Sequence, residues 1–129
     1  MPKIVVVEDQ QVLATVYRNK FVAEGYQVEV ASDGEAGLAL INTTQPDLVI
    51  LDLILPKMNG IAVLRHIRAS DPTLPVIIIS GFATPGQLDE ARRLGVTEII
   101  SKPHILTHFT DALARAANVG GGPSGPFTG

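Results

Sequence analysis

The sequence predicts an α/β protein in which parallel strands alternate with helices. Short apolar runs recur along the chain at residues 4–7, 48–51, 76–79 and 99–100, with a weaker run at 28–30. The run at 48–51 is continuously apolar, which is typical of a strand buried on both faces of a parallel sheet. The segments between the runs show helical spacing. Together these observations predict a (βα)5 alternation with helices on both faces of the sheet.

The segments between strands carry helical patterns with recognisable ends. On the first, Leu13, Val16, Tyr17 and Phe21 share one face, and Gly25 fits the position just after the helix. The second follows a predicted Asp33-Gly34 turn. The apolar positions of the second, third and fifth helices are Ala36, Leu38, Ala39 and Leu40; Ile61, Leu64 and Ile67; and Ile105, Phe109, Ala112, Leu113 and Ala116.

The fourth helix has the clearest start signal. Thr84 is predicted as its N-cap, Pro85 as its first residue and Gln87 as the partner that completes a capping box. Asp89 and Arg93 are spaced as an i,i+4 ion pair on the same helix.

Length and composition indicate one globular domain. The chain has 129 residues, 46% of them hydrophobic and 18% charged, and a net charge of −3 that disfavours direct nucleic-acid binding through bulk charge. It has no cysteine, no signal-peptide pattern and no apolar run long enough to span a membrane, so we expect a soluble, cytoplasmic protein. Residues 1–118 are predicted to form the domain, and the Gly/Pro-rich residues 119–129 a flexible tail or linker.

Polar side chains stand at the ends of four predicted strands. Glu8 and Asp9 follow the first, Asp52 the third, Ser80 the fourth, and Lys102 lies just after the fifth. The carboxyl ends of parallel strands share one edge, where doubly wound sheets bind ligands. Three carboxylates there would repel one another, and Mg²⁺ suits such a site. An aspartate beside Mg²⁺ can accept a phosphoryl group, while a lysine and a hydroxyl can hold the phosphate oxygens.

These motifs, in this order, resemble the receiver domain of two-component response regulators. The matching signature is the pair Glu8-Asp9, the stretch Asp52-Leu-Ile-Leu-Pro-Lys-Met-Asn-Gly60, the pair Ser80-Gly81 and the pair Lys102-Pro103, within a resemblance over residues 3–118. The resemblance implies a flavodoxin-like doubly wound (βα)5 fold with a five-stranded parallel sheet in the order 2-1-3-4-5.

The resemblance also implies a role for each site residue. Asp52 would be the phosphoacceptor, and Asp9, Asp52 and the backbone carbonyl of Ile54 would bind Mg²⁺, with Glu8 acting through a water. Ser80 would be the switch hydroxyl and Lys102 the phosphate-binding lysine, with a cis peptide bond between Lys102 and Pro103. Ile54 and Phe82 would flank the path of the hydrolytic water and tune dephosphorylation.

Two positions depart from the family pattern. Ile99 stands where the family usually has a switch Tyr or Phe, and His104 stands where Phe is common. Coupling of phosphorylation to a rotating aromatic ring is therefore not expected in its usual form.

The function expected from the resemblance is a Mg²⁺-dependent, phosphorylation-activated signalling switch rather than an enzyme. Its phosphodonor would be a histidine kinase or a histidine phosphotransfer protein. Its output would pass through contacts with a downstream protein or an output domain, and a phosphorylation-dependent dimer would use residues 85–118. Whether the chain is a single-domain regulator or an excised receiver stays open, as do its kinase and pathway.

Three other functions would each make a different demand on these residues. A haloacid-dehalogenase-type phosphatase would need a second Asp where Ile54 stands, and is rejected. A flavin binder would need a hydroxyl- and glycine-rich phosphate loop after the first strand, where Glu8 and Asp9 would repel phosphate, and is also rejected. A phosphorylation-independent interaction module on the same scaffold is retained as a minority alternative, and a loss of Mg²⁺ binding would favour it.

Overall fold

A computed structural model describes residues 2–101, with side chains up to Ile100. The elements in chain order are β1 (Lys3–Val7), α1 (Gln11–Ala23), β2 (Gln27–Ala31), α2 (Gly34–Thr44), β3 (Leu48–Asp52), α3 (Gly60–Ser70), β4 (Val76–Ser80), α4 (Pro85–Arg93) and β5 (Glu98–Ser101). The predicted fifth helix, the Lys102–Pro103 peptide, His104 and the 119–129 tail lie outside the described residues. No helix within residues 2–101 is long and apolar enough to cross a membrane.

The five strands form one parallel sheet in the order β2-β1-β3-β4-β5, which confirms the predicted fold class. The centre of the sheet is β3, which pairs with β1 on one side and β4 on the other. Asp52 lies opposite Ile79 in this register, so Ser80 comes one position later on the neighbouring strand. The carboxyl ends of β1, β3 and β4 therefore lie along one edge.

The apolar runs are buried because both faces of the sheet are covered. Side chains alternate along a strand, so Ile4 and Val6 belong to one core cluster and Val5 and Val7 to the other. The first cluster is closed by Tyr17, Phe21 and Tyr26. The second is closed by residues of α2 and α3, with Ala91 from α4. Two-sided burial explains why β3 and β4 are continuously apolar while the edge strand β2 alternates.

The predicted end signals of α1 and α4 are confirmed. Gly25 follows α1 with a φ of 97°, in the left-handed region that glycine adopts without strain. The Thr84 side chain accepts from the Gln87 amide and the Gln87 side chain accepts from the Thr84 amide, completing the capping box with Pro85 at the first helical position.

The second helix predicted from Ala36, Leu38, Ala39 and Leu40 is confirmed as α2. Ala36 and Ala39 are exposed, and the buried positions are Gly34, Gly37 and Ile41. The expected turn at residues 33–34 is instead the start of the helix itself, with the preceding aspartate as its N-cap. The helix packs through its glycines, which allow close approach to the rest of the fold.

The ion pairs on α4 also differ from the prediction. Asp89 accepts from Arg92 at 3.1 Å, and Arg93 donates to Glu90 at 2.9 Å. Both pairs are spaced i,i+3, so the expected i,i+4 pair of Asp89 with Arg93 is wrong. Glu90 also accepts from Arg65 of α3, which draws it into a contact between the two helices.

Candidate functional site

Three carboxylates meet at the carboxyl end of the sheet. Glu8 and Asp9 follow β1, and Asp52 is the last residue of the adjacent strand β3. One carboxylate oxygen from each lies within 4.8 Å of those of the other two. Glu8 and Asp52 are each 1% exposed, whereas Asp9 is exposed. The structure thus brings the three predicted acidic residues together and leaves the cluster open to solvent on the Asp9 side.

Backbone amides orient the two buried carboxylates. The Gln10 amide donates to Glu8 Oε2 at 3.0 Å, and the Ile54 amide donates to Asp52 Oδ1 at 3.0 Å. The Glu8 amide donates to the Ala31 carbonyl at 3.0 Å, which fixes the backbone as the chain leaves β1. Hydrogen bonds to a charged acceptor contribute about 1.5–3 kcal/mol each, so these contacts fix the orientation of both side chains.

Tyr17 of α1 is buried close enough to the acidic cluster to sense its charge. Its side chain is fully buried, and its pKa is raised by burial first and then by the negative charges of Glu8 and Asp52. The hydroxyl therefore stays protonated beside the carboxylates. The sequence predicted Tyr17 only as a core residue; its helical spacing indicates a buried face but carries no information on which strand end that face meets.

The loop after Asp52 folds closely against the site. A Cβ built on Gly60 would overlap the Asp52 carbonyl oxygen and come within 2.5 Å of the Leu53 Cα. The Gly60 amide donates to the Leu53 carbonyl at 2.9 Å. Any side chain larger than hydrogen at position 60 would therefore push against the backbone that carries Asp52.

The other predicted site residues differ in burial, and two of them lie outside the described residues. Ser80 is half-buried at the end of β4, beside the Asp52 strand. Ile54 is 43% exposed and Phe82 is 89% exposed, both in loops at this edge. Ile99 is half-buried in β5 and packs against the second core cluster. Lys102, Pro103 and the predicted cis bond between them lie outside the described residues.

The donor set fits a hard divalent cation. Mg²⁺ prefers oxygen ligands and is usually held by one or two carboxylates with waters completing its shell. Two buried carboxylates oriented by backbone amides and one exposed carboxylate supply such ligands, and the exposed side leaves room for water. A positive charge here would also relieve the repulsion among the three groups.

The doubly wound sheet, with acidic groups at the ends of β1 and β3, defines a receiver-type domain. Comparison with known sequences agrees, because the family profile of the response regulator receiver domain matches residues 4–114. The chain belongs to this family of two-component signalling modules, whose members bind Mg²⁺ through acidic residues and are not conventional enzymes.

Individual relatives match most of this chain in sequence. Sporulation initiation phosphotransferase F of Bacillus subtilis is 31% identical over 113 residues, which cover 88% of this chain and 91% of that protein. Regulator of RpoS of Escherichia coli K12 is 37% identical over 101 residues, which are 78% of this chain and 30% of that protein. The chain thus spans less than a third of that longer relative.

Solved structures show the same similarity. A receiver domain protein from Clostridium thermocellum superimposes with a TM-score of 0.84 at 28% identity, covering 92% of this chain and 95% of that one. NtrX from Brucella abortus, in complex with ADP, gives a TM-score of 0.84 at 31% identity, covering 94% of this chain and 28% of that one.

Proposed function

We propose that the protein is a Mg²⁺-dependent signalling switch that accepts a phosphoryl group on Asp52. The donor is a histidine kinase or a histidine phosphotransfer protein. The observation that carries the proposal is the position of Asp52, which is 1% exposed at the end of the central strand with carboxylate oxygens of Glu8 and Asp9 within 4.8 Å. A strand-end carboxylate in so apolar a setting has no evident structural task, and it suits a nucleophile held in one orientation.

In this proposal an Asp52 carboxylate oxygen forms a bond to phosphorus as the bond from phosphorus to the donor's histidine nitrogen breaks. The histidine keeps the bonding electron pair, and the product is an aspartyl phosphate. Asp9, Asp52 and the Ile54 carbonyl would hold Mg²⁺ directly, and Glu8 through a water. The ion, when bound, neutralises charge on the carboxylates and the phosphoryl group.

Two further groups are assigned to the phosphoryl oxygens. Ser80, on the strand next to Asp52, would donate its hydroxyl proton to one of them. Lys102 would hold another as a point charge, with the Lys102–Pro103 peptide bond cis as the family pattern implies. Ser80 begins the loop that leads to α4, so its movement toward the phosphoryl group would be passed to that helix.

The domain organisation and partners belong to the same proposal. Residues 1–118 would form the receiver domain and residues 119–129 a flexible tail or linker in a cytoplasmic protein. The signal would leave through contacts of residues 85–118 with a downstream protein, an output domain or a second phosphorylated copy. Neither direct nucleic-acid binding nor membrane insertion forms part of this function.

The first prediction is that Asp52 is the sole phosphorylation site. Wild type incubated with acetyl phosphate and Mg²⁺ should gain the mass of one phosphoryl group, and Asp52→Asn should gain none. Asp47→Asn is the matched control, because Asp47 precedes the same strand at its other end, where it accepts from the Lys3 amide at 2.7 Å. Intact-mass spectrometry measures both. Equal labelling of wild type and Asp52→Asn would refute the assignment.

A further inference from the structure

The loop that carries Ile54, residues 53–59, lies between the N-termini of two helices. Gly60 begins α3 on one side, and Gly34 begins α2 on the other. We propose that Gly34 is a positioning residue for the cation site, because its missing side chain lets α2 set the path of this loop. The inference rests on the proposed function, in which the Ile54 carbonyl and the Asp52 carboxylate bind Mg²⁺.

Gly34 touches the backbone of the loop itself. A Cβ built on Gly34 would overlap the Met58 carbonyl oxygen and lie 2.7 Å from the carbonyl carbon and 2.8 Å from the Met58 Cβ. The Gly34 amide also points to the Pro56 carbonyl, with an N···O distance of 3.4 Å. Because the obstructing atoms are main chain rather than the end of a flexible side chain, a methyl group at position 34 must displace either the helix or the loop.

The helix is the better anchored of the two. A Cβ on Gly37, one turn further on, would lie 2.8 Å from both γ-methyl groups of Val7, so α2 sits directly on the sheet. Ile41 continues this buried face. The loop is mostly solvent-exposed at residues 54, 56, 57 and 59. A clash between them is therefore relieved mainly by movement of the loop.

A second contact joins the start of α2 to the same loop. Lys57 Nζ lies 3.8 Å from Asp33 Oδ2, while the other Asp33 oxygen caps α2 by accepting from the Ala36 amide at 2.8 Å. Lys57 has a φ of 66°, a left-handed conformation that costs a non-glycine residue free energy. The loop is thus held in a path that its own residues do not favour, and the contacts with α2 help to maintain it.

Displacement of the loop would reach the cation ligands. Ile54 lies four residues before Met58, and its amide donates to Asp52 Oδ1 at 3.0 Å. A shift of the loop would therefore reorient one proposed carboxylate ligand and move one proposed carbonyl ligand together. Changes in groups that orient metal ligands commonly weaken metal affinity by about 10–100-fold.

The test compares Gly34→Ala with Gly25→Ala in the full chain. Gly25 has a φ of 97° and no atom within 4 Å of a built Cβ, so its replacement strains the backbone away from the acidic cluster. Isothermal titration calorimetry gives the dissociation constant for Mg²⁺, and thermal melting in EDTA gives the stability without metal. We expect Gly34→Ala to weaken Mg²⁺ binding by about tenfold and to shift the amide resonance of Ile54 in EDTA. We expect Gly25→Ala to melt lower than wild type but to bind Mg²⁺ as wild type does.

The outcomes separate this inference from the proposed function. If wild type binds no Mg²⁺, the proposed function fails. If wild type binds Mg²⁺ and Gly34→Ala binds it equally, the positioning role of Gly34 is overturned while the proposed function stands. Equal weakening in both variants would also overturn it, because general destabilisation would then explain the loss.

A second variant covers the case in which Gly34→Ala does not fold. Lys57→Gly removes the contact with Asp33 and frees the loop, yet glycine accepts the positive φ at this position without strain. We expect this variant to melt no lower than wild type in EDTA. We expect it to bind Mg²⁺ about two- to threefold more weakly, because the freed loop must be ordered when the ion binds. An unchanged Mg²⁺ affinity in this variant would overturn the inference.

Discussion

At the scale of single residues, the site is a balance between burial and charge. Removing a carboxylate from water costs several kcal/mol, and Glu8 and Asp52 are both buried. The Gln10 and Ile54 amides each donate a hydrogen bond to one of these carboxylates, worth about 1.5–3 kcal/mol, which offsets part of that cost. The close approach of Asp9 adds repulsion. The residues around Asp52 therefore favour a ligand that brings positive charge.

The residues that flank the site lead to a prediction about phosphoryl lifetime. Ile54 and Phe82 cannot hydrogen-bond a water, so they should slow hydrolysis of the aspartyl phosphate. Ile54→Asn and Phe82→Glu should each lose phosphate faster than wild type, and the double variant fastest. Because Phe82 is 89% exposed and Ile54 only 43%, we expect Ile54→Asn to have the larger single effect.

Decay of the phosphorylated mass with time measures these half-lives. Val22→Asn is a suitable control, since Val22 is 51% exposed near the carboxyl end of α1 and precedes the turn that leads into β2. An unchanged or longer half-life in the double variant would show that these two side chains do not control access of water.

At the scale of elements, α4 is held by polar contacts more than by apolar burial. Among the described residues, α4 contributes Ala91 as its fully buried side chain. Two arginines of α3, one turn apart, form hydrogen bonds with α4 and the residues at its end. Arg68 donates to the carbonyls of Leu94 and Gly95 at 2.7 and 3.1 Å, where α4 ends, and Arg65 pairs with Glu90. Arg68 thus caps the carboxyl end of a helix that has few other anchors.

These two arginines should differ sharply in their contribution to stability. Arg68 also donates to the Asp71 carbonyl at 3.1 Å, and burial lowers its pKa, although the nearby Asp71 charge opposes this shift. Arg68→Ala leaves three carbonyls without this donor and should lower the free energy of unfolding by about 2–3 kcal/mol. Arg65→Ala removes a solvent-exposed ion pair and should lower the free energy of unfolding much less than Arg68→Ala does.

Urea unfolding of both variants measures the difference directly. The two positions lie on the same helix, so a general loss of helix propensity affects both alike. Equal destabilisation by the two substitutions would contradict the assignment of Arg68 as the main cap of α4.

The sequence predicted the ends of helices well where those ends depend on residues that are close together in the chain. The capping box at Thr84 and Gln87 depends on residues three apart, and both predicted hydrogen bonds are present. The strand ends were predictable because a parallel sheet aligns them whatever the details of packing. The buried face of α2 was not predicted, because Gly34 is buried through a contact with Met58, far away along the chain.

At the scale of the whole molecule, the acidic cluster links metal binding to stability. A ligand that binds only the native state adds RT ln(1 + [L]/Kd), about 2.7 kcal/mol at roughly 100 times Kd. We therefore expect Mg²⁺ to raise the melting temperature of wild type. Asp9→Asn removes one of three mutually repelling carboxylates, so it should melt higher than wild type in EDTA and respond less to Mg²⁺.

Asp89→Asn makes the same change of charge away from the site. Asp89 is exposed on α4 and pairs with Arg92, so its substitution should leave the response to Mg²⁺ intact. If Asp9→Asn melts lower than wild type in EDTA and responds equally to Mg²⁺, the carboxylate-repulsion account is wrong.

The order of strands also bears on whether copies of this chain can assemble through their sheets. The apolar strands β1, β3 and β4 are internal, and β2 lies at one edge of the described sheet. In β2, Gln27 and Glu29 are exposed, so a strand of another molecule pairing there would meet the carboxylate of Glu29. Exposed charge on an edge strand is a common protection against edge-to-edge aggregation. Glu29 thus disfavours pairing of another strand with the β2 edge, and the apolar strands β1, β3 and β4 lie inside the sheet.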